Sequence, residues 1–307
     1  MRVVLDTVRP WRHDLAGCPH ACAGTLFAAH GVDPLGALGA GWRFHYAPGD
    51  VRREEYYFPC PPGRSLFEAL APYQHATSSW RYPSDAGEGW AQVRERVAAG
   101  APVAVAVDNF HLPFRPAYRD VHTNHLIVVY GFDDQHRTVR VLDAIPPSFD
   151  GDLRLDDLAD ARGSTNPAAG GRDMFFTDNP IANRWLDVRF DHRPDPAHAV
   201  EARAAEVAEA LHQNLLGFAA ERDDTDDTGG AYVGAAGQRR FLTDMAARLD
   251  CGEDVVDEVF IVAGAALATA ALHADWLSEA GGWLGRPALR ELGRRVERIA
   301  HHWSALR

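Results

Sequence analysis

The sequence predicts an α+β protein: an antiparallel-sheet domain over residues 1–194, followed by an α-helical domain over residues 195–307. Three observations predict it. Short β-branched runs bounded by turn residues fill the first part. Two of them flank a tight turn and so read as antiparallel neighbours. Beyond Pro194 the apolar residues recur at helical spacing instead.

In chain order, the first helix is expected at residues 19–30, and strands at 41–46 (GWRFHY) and 53–58 (REEYYF). Helices follow at 65–70 and 87–98. Then come the three strongest strand signals: APVAVAVDNF at 101–110, HLIVVYGFDD at 125–134 and RTVRVLDA at 137–144. The last two are joined by a turn at 133–136. A helix at 155–161 and a strand at 185–190 (WLDVRF) complete this part. Asp195 and Pro196 then supply an N-cap and a first-turn proline. Val200, Val207, Leu211, Leu215 and Phe218 mark the helix they open. An acidic loop, ERDDTDDTGG, breaks it at 221–230, and three helices follow near 235–249, 254–280 and 286–305. The acidic run could dock a cation; a solvated charge run is the commoner outcome.

With 46% hydrophobic and 24% charged residues, the 307-residue chain is globular in composition and long enough for two domains. Its net charge of −12 disfavours nucleic acid as a partner. That charge suits a cationic substrate, but solubility explains it equally well. There is no lysine; every basic side chain is arginine or histidine. The longest apolar run, 259–272, falls short of the roughly 20 residues of a membrane span. The opening MRVVLDTVRPWRHDL lacks a signal-peptide core, so a cytoplasmic protein without a membrane partner is expected. Four cysteines in a chain of this length are no disulfide framework.

Two of them, Cys18 and Cys22, lie at the mouth of the first helix in LAGCPHACAGTLFAAHG. With His20 and Cys60 they offer four metal-type side chains. The spacing is not the Cys-x2-Cys knuckle of structural zinc, however, and no second close pair exists. No metal or other cofactor is therefore expected. Cys22 shares a helical face with Leu26 and Ala29 and reads as a buried core thiol. Cys18 does not. Pro19 fixes its own φ and pushes the preceding residue to extended backbone, which makes Pro19 the first helical residue and Cys18 the N-cap. A sulfur there faces unpaired N–H groups and the positive end of the helix dipole, which favour the thiolate, the nucleophilic form. A cysteine that opens a helix is the geometry of papain-like enzymes.

A thiolate nucleophile needs a base and an orienting partner. His125 begins one strong strand and Asp143 ends the strand that pairs with it, so antiparallel pairing brings the two together. The chain order Cys18, His125, Asp143 is that of papain-like folds. Each residue alone has a bland reading as a strand cap or turn opener; the three together shift the balance. Asp108 and Asn109 leave their strand just before the histidine segment and are candidates for binding an acceptor amine, with a turn role as the alternative.

The segments CPHACAGTLFAAHGVDPLGALGAGWRFHY, PVAVAVDNFHLPFRPAYRDVHTNHLIVVYGFDD and VRVLDAIPPSFDGDLRLDDLADARGS together resemble the butirosin biosynthesis protein H family over most of residues 15–190. The helical tail resembles the domain often fused to it. The resemblance implies a papain-like core with Cys18 as nucleophile, His125 as base and Asp143 as orienter. It also implies an acyltransferase that moves an acyl or aminoacyl group from a carrier-protein thioester to a small-molecule amine in antibiotic biosynthesis. The partners would then be an acyl carrier protein and the amine acceptor. Where the family pattern places a histidine before the cysteine, this chain has Gly17. The Cys18 backbone N–H should contribute to an oxyanion hole. A second donor is not identifiable, since Arg12 and His13 upstream read as surface residues. Two other classes stay open at this point. One is a cysteine peptidase, amidase or thioester-cleaving cyclase using the same three residues; the other is a non-catalytic binding protein on a papain-like fold.

No nucleophile–base set appears after residue 194. The last helix instead carries Arg286, Arg290, Arg294, Arg295 and Arg298 in an otherwise acidic chain. That face could steer an acidic carrier protein by long-range attraction, or simply be solvated and paired with Glu291 and Glu297.

Overall fold

The computed structural model describes residues 1–49, 65–74, 76–168, 178–190, 199–221 and 231–307. The expected strand at 53–58, the acidic loop beyond 221, the Asp195–Pro196 cap and Cys60 lie outside them.

The strand-rich part is a mixed α+β arrangement around an antiparallel sheet. Its strands run β1 (Arg2–Val4), β3 (Ala76–Arg81), β4 (Val103–Asp108), β5 (Asn124–Asp133), β6 (Thr138–Asp143), β7 (Phe149–Arg154) and β8 (Trp185–Phe190). Their spatial order is β3-β8-β4-β5-β6-β7, with β1 on the far end of β5. The expected hairpin is present: Asp133 pairs with Thr138, and Val128 with Leu142. On the other side of β5, Val107 pairs with His125 and Asp108 with Asn124.

Valines at 103, 105 and 107 join Ile127, Val129, Val139 and Val141 in a dry core. Helices α4 (Ala86–Ala98) and α5 (Leu155–Gly163) close that core with Val93, Val97, Leu158 and Ala161. Asp85 caps α4 by accepting a hydrogen bond from the Glu88 N–H. Helix α1 (Cys18–Ala29) packs on β4 and β5 and is buried for most of its length. Such all-round burial is why its sequence shows no amphipathic stripe.

A second unit comprises residues 35–77 and 190–307, with the short stretch 14–16. Its first elements are α2 (Pro34–Gly39), β2 (His45–Tyr46) and α3 (Leu66–Leu70). It continues with α6 (Ala199–Ala219), β9 (Tyr232–Val233), α7 (Gly234–Asp250), α8 (Val256–Trp283) and α9 (Pro287–Leu306). The helices fall where the sequence puts them. The segment 35–77, by contrast, counts with the helical unit, whereas the sequence reading assigns it to the first domain. The reason is packing: Phe44 and Tyr46 lie against Phe241, Phe44 stacks on Trp303, and β2 pairs with β9. Only His45 and Tyr46 of the expected strand at 41–46 are extended partners; Trp42 instead stacks on His273.

Helix α8 is 28 residues long and apolar enough to cross a membrane by length and composition, longer than the apolar run alone suggests. Yet 72% of its most apolar window is buried within the protein. It is the core helix on which α9 packs through Val296, Ala300 and Trp303.

Candidate active site

Helix α1 begins one residue earlier than the sequence reading: Gly17, extended at φ −82° and ψ −179°, is the N-cap, and Cys18 is the first helical residue. The steric preference that Pro19 imposes on Cys18 gives way to the rest of the helix. The chemical consequence is unchanged, since Cys18 still sits in the first turn, where N–H groups lack intrahelical acceptors. No side chain caps this end. The helix is held against the N-terminal segment: Trp11 N–H donates to Thr25 Oγ1 at 3.2 Å, and the Trp11 ring lies over Gly24.

His125 and Asp143 meet as the antiparallel register dictates. His125 Nε2 lies 2.7 Å from Asp143 Oδ2, and both side chains are buried. The Cys18 sulfur is also a hydrogen-bond partner of the His125 ring. Because Asp143 occupies Nε2, Nδ1 is the nitrogen left for the thiol. Burial works against a charged ring here. The Asp143 carboxylate and the Cys18 sulfur overcome it and push the His125 pKa up to about 9. The arrangement therefore favours the protonated imidazolium form of His125.

Asp143 is itself anchored. Its Oδ1 accepts from the Ile145 N–H at 3.0 Å, and Oδ2 accepts from Arg115 Nη1 at 3.2 Å. Burial raises its pKa, but His125, Arg115 and the Ile145 N–H outweigh that and hold it below the ordinary carboxylate range. Arg115 also donates to the Ile145 carbonyl at 3.0 Å. The sequence reading missed this residue, because nothing in LPFRPAYRD announces an arginine that folds back onto a strand end.

The neighbouring thiol is different in kind. Cys22 is buried, and burial, reinforced by Cys18 and Asp143, pushes its pKa well up and keeps the proton on sulfur. His20 is buried too. Burial, with His13 adding to it, lowers its pKa to about 4, so it is neutral near pH 7.

Asp108 takes a correction. It is wholly buried, and its oxygens carry four hydrogen bonds. The Phe110 and Thr123 N–H groups donate to Oδ1 at 3.0 and 3.1 Å. Ser164 Oγ donates to Oδ2 at 2.6 Å, and His122 Nδ1 lies 2.6 Å from the same oxygen. An acceptor amine has no route to a carboxylate so enclosed. Asn109 is nearly buried, donates to Thr123 Oγ1 at 2.7 Å, and begins a 3-10 turn through His111. The turn role weighed as its alternative is the one this geometry gives. The spacing His122-x-x-His125 was the available signal for His122, the residue the sequence reading passed over.

Residues 17–144 match the family model described as "Butirosin biosynthesis protein H, N-terminal". The chain is similar to this family over that segment. The segment spans α1, with Cys18 at its start, through β6, with Asp143 at its end, so all three grouped side chains lie within it. No match to a curated protein is found.

Proposed function

We propose that this chain is a biosynthetic acyltransferase whose nucleophile is Cys18, with His125 as acid–base and Asp143 as its orienting partner, on a papain-like domain. The observation that carries the reading is the chain of contacts Cys18–His125–Asp143, with the sulfur in the first turn of α1. The family name, tied to the making of an antibiotic, supports a role in natural-product assembly.

The Cys18 thiolate attacks the carbonyl carbon of a thioester held by an acyl carrier protein. A new carbon–sulfur bond forms while the carrier's carbon–sulfur bond breaks, and His125 gives its proton to the departing carrier thiolate. The amine of a small acceptor then attacks the acyl-enzyme. His125 takes the amine proton, Cys18 leaves as thiolate, and an amide is released. The Cys18 N–H and the N-terminal field of α1 face the developing oxyanion. Asp143, fixed by Arg115, holds the ring through Nε2 so that Nδ1 addresses the sulfur.

For the carrier, the reading draws on α9. Arg286, Arg290, Arg294, Arg295 and Arg298 are all exposed, and of these Arg294 is tied to Glu291 at 2.5 Å. An acidic carrier would be attracted to such a face, and the attraction would weaken with salt beyond a screening length of about 10 Å at 0.1 M.

The deciding experiment is intact-mass analysis of the protein mixed with acyl-carrier thioesters. A mass gain equal to the acyl group, absent in Cys18→Ala and discharged as an amide by added amine, is the expected result. Discharge only as free acid would make the chain a thioesterase or amidase. No adduct with any acyl thioester would overturn a thiol-based mechanism.

A further inference from the structure

A second aspartate–histidine pair lies close in sequence to the first and is not used by the mechanism above. His122 is fixed from two sides: Asp108 holds Nδ1 at 2.6 Å, and the Phe110 ring stacks on the imidazole with centroids 4.1 Å apart. That leaves Nε2 as its outward atom. His111 follows one residue after Phe110, its ring 6.2 Å from that of His122 between centroids. Among the described residues, no hydrogen bond engages the His111 ring nitrogens. Donor atoms of Asp108, His111 and His122 all fall within 4.8 Å of one another. Both imidazoles line a cavity of about 370 Å³ that Asp160, Ser164 and Thr165 also line.

We propose that His111 and His122 bind a divalent transition-metal ion of the zinc class in this cavity. Three arguments fix the roles. Two imidazole nitrogens on a tetrahedral ion stand about 3.3 Å apart, given metal–nitrogen bonds of about 2.0–2.1 Å. A modest rotation of the partly exposed His111 closes the pair to that distance. Imidazole ligands select zinc, copper or nickel over magnesium or calcium. Asp108 is not a ligand, because both its oxygens are already occupied. It is the carboxylate behind the ligating histidine, which sets the tautomer and raises the basicity of Nε2. Water completes the shell. The site is separate from Cys18, His125 and Asp143 in its residues, and it stands or falls independently of the acyltransfer reading.

The test uses the purified full chain and Co2+ as the probe, followed by calorimetry and the visible spectrum. One equivalent is expected to bind saturably, with the d–d bands of nitrogen and oxygen ligation and without the intense near-ultraviolet band of a thiolate ligand. His111→Asn and His122→Asn should each weaken binding by at least about ten-fold, and Asp108→Asn by about 10–100-fold through loss of the backing carboxylate. Circular dichroism checks that each variant folds. If Asp108→Asn or His122→Asn does not fold, His111→Asn decides, since its side chain is partly exposed and its ring makes no hydrogen bond among the described residues. Unchanged affinity in His111→Asn, a thiolate band, or no saturable binding would each overturn the site.

Discussion

Two aspartate–histidine pairs meet at the start of β5, His125 in that strand with Asp143 at the end of β6, and His122 just before it with Asp108 at the end of β4, and what each imidazole faces divides their chemistry. Asp143–His125 presents its second nitrogen to a sulfur at a helix N-terminus. Asp108–His122 presents its own to a polar cavity shared with His111. Both carboxylates are buried and both bond a histidine nitrogen at 2.6–2.7 Å. An Asp–His bond therefore states only that an imidazole is held still. The third group determines what the held imidazole does.

The sharpest separation of the pairs comes from the sulfur. Cys18→Ala should lower acyl-adduct formation by at least about 10⁴-fold while the melting temperature stays close to that of the parent, because the side chain is only partly buried. Stopped-flow acylation and calorimetry check both halves. A partial loss of rate would point to another nucleophile, and rapid alkylation of Cys22 ahead of Cys18 would name it.

Asp108→Ala should act in the opposite currency. It strands buried donors from Ser164, Phe110 and Thr123, at a cost of at least about 3 kcal/mol in chemical denaturation. Asp143→Asn should instead slow acylation by about 10–1,000-fold, since the amide imposes the wrong tautomer on His125. Equal stability losses with no difference in rate would erase the distinction between the pairs.

Titration gives a subtler contrast among the histidines. His125, raised to about 9, stabilises the fold fully below its unfolded value of 6.5, and that contribution is lost as pH rises from 6.5 through 9. His20 and His273 run the other way. Burial lowers His20, with help from His13, to about 4. His273 is lowered to about 4 by burial despite the Gly39 carbonyl that its Nδ1 bonds. Their contributions are complete above 6.5 and lost as pH falls from 6.5 through 4. Denaturant midpoints measured from pH 4 to 9.5 should therefore fall on both sides of the neutral region. His125→Gln should flatten the alkaline limb alone; an unchanged alkaline limb would refute the imidazolium.

The smallest expected effect lies behind α1. A Cβ at Gly24 would meet Trp11 ring carbons at 1.9 Å, so Gly24→Ala must displace the indole. Overpacking of this kind costs about 1–3 kcal/mol, visible in a melting curve and in the emission of Trp11. A variant as stable as the parent would mean that the N-terminal segment does not clamp the helix.

The approach of His125 to Asp143 was legible because hairpin arithmetic is robust. Once residues 125–134 and 137–144 are strands joined by a tight turn, His125 and Asp143 must approach. The cap of α1 was missed by one residue because the local push of proline on Cys18 is small beside a twelve-residue helix buried from Pro19 to Phe27. Strand β7 was not legible at all: FDGDLR is polar and contains glycine, and its extended form comes from pairing along β6. Asp108 looked available because it ends a strand. Its burial depends on Ser164, 56 residues away, and no local pattern encodes that. Arg115 is the same case, a loop residue whose role is assigned by a distant carboxylate.

The helical unit's claim on residues 35–77 has a consequence for the covalent chain. The polypeptide leaves the strand-rich unit after α1, contributes Ala40, Phe44 and Tyr46 to a core whose other buried members lie beyond 200, and then returns. No single peptide bond separates the two units. A chain cut at residue 194 would carry those aromatics to the ribosome exit with nothing to bury them, and should be insoluble unless residues 195–307 are supplied in trans. Shuffling of modules between pathways, which works by joining ends, would have to move this pair as one piece.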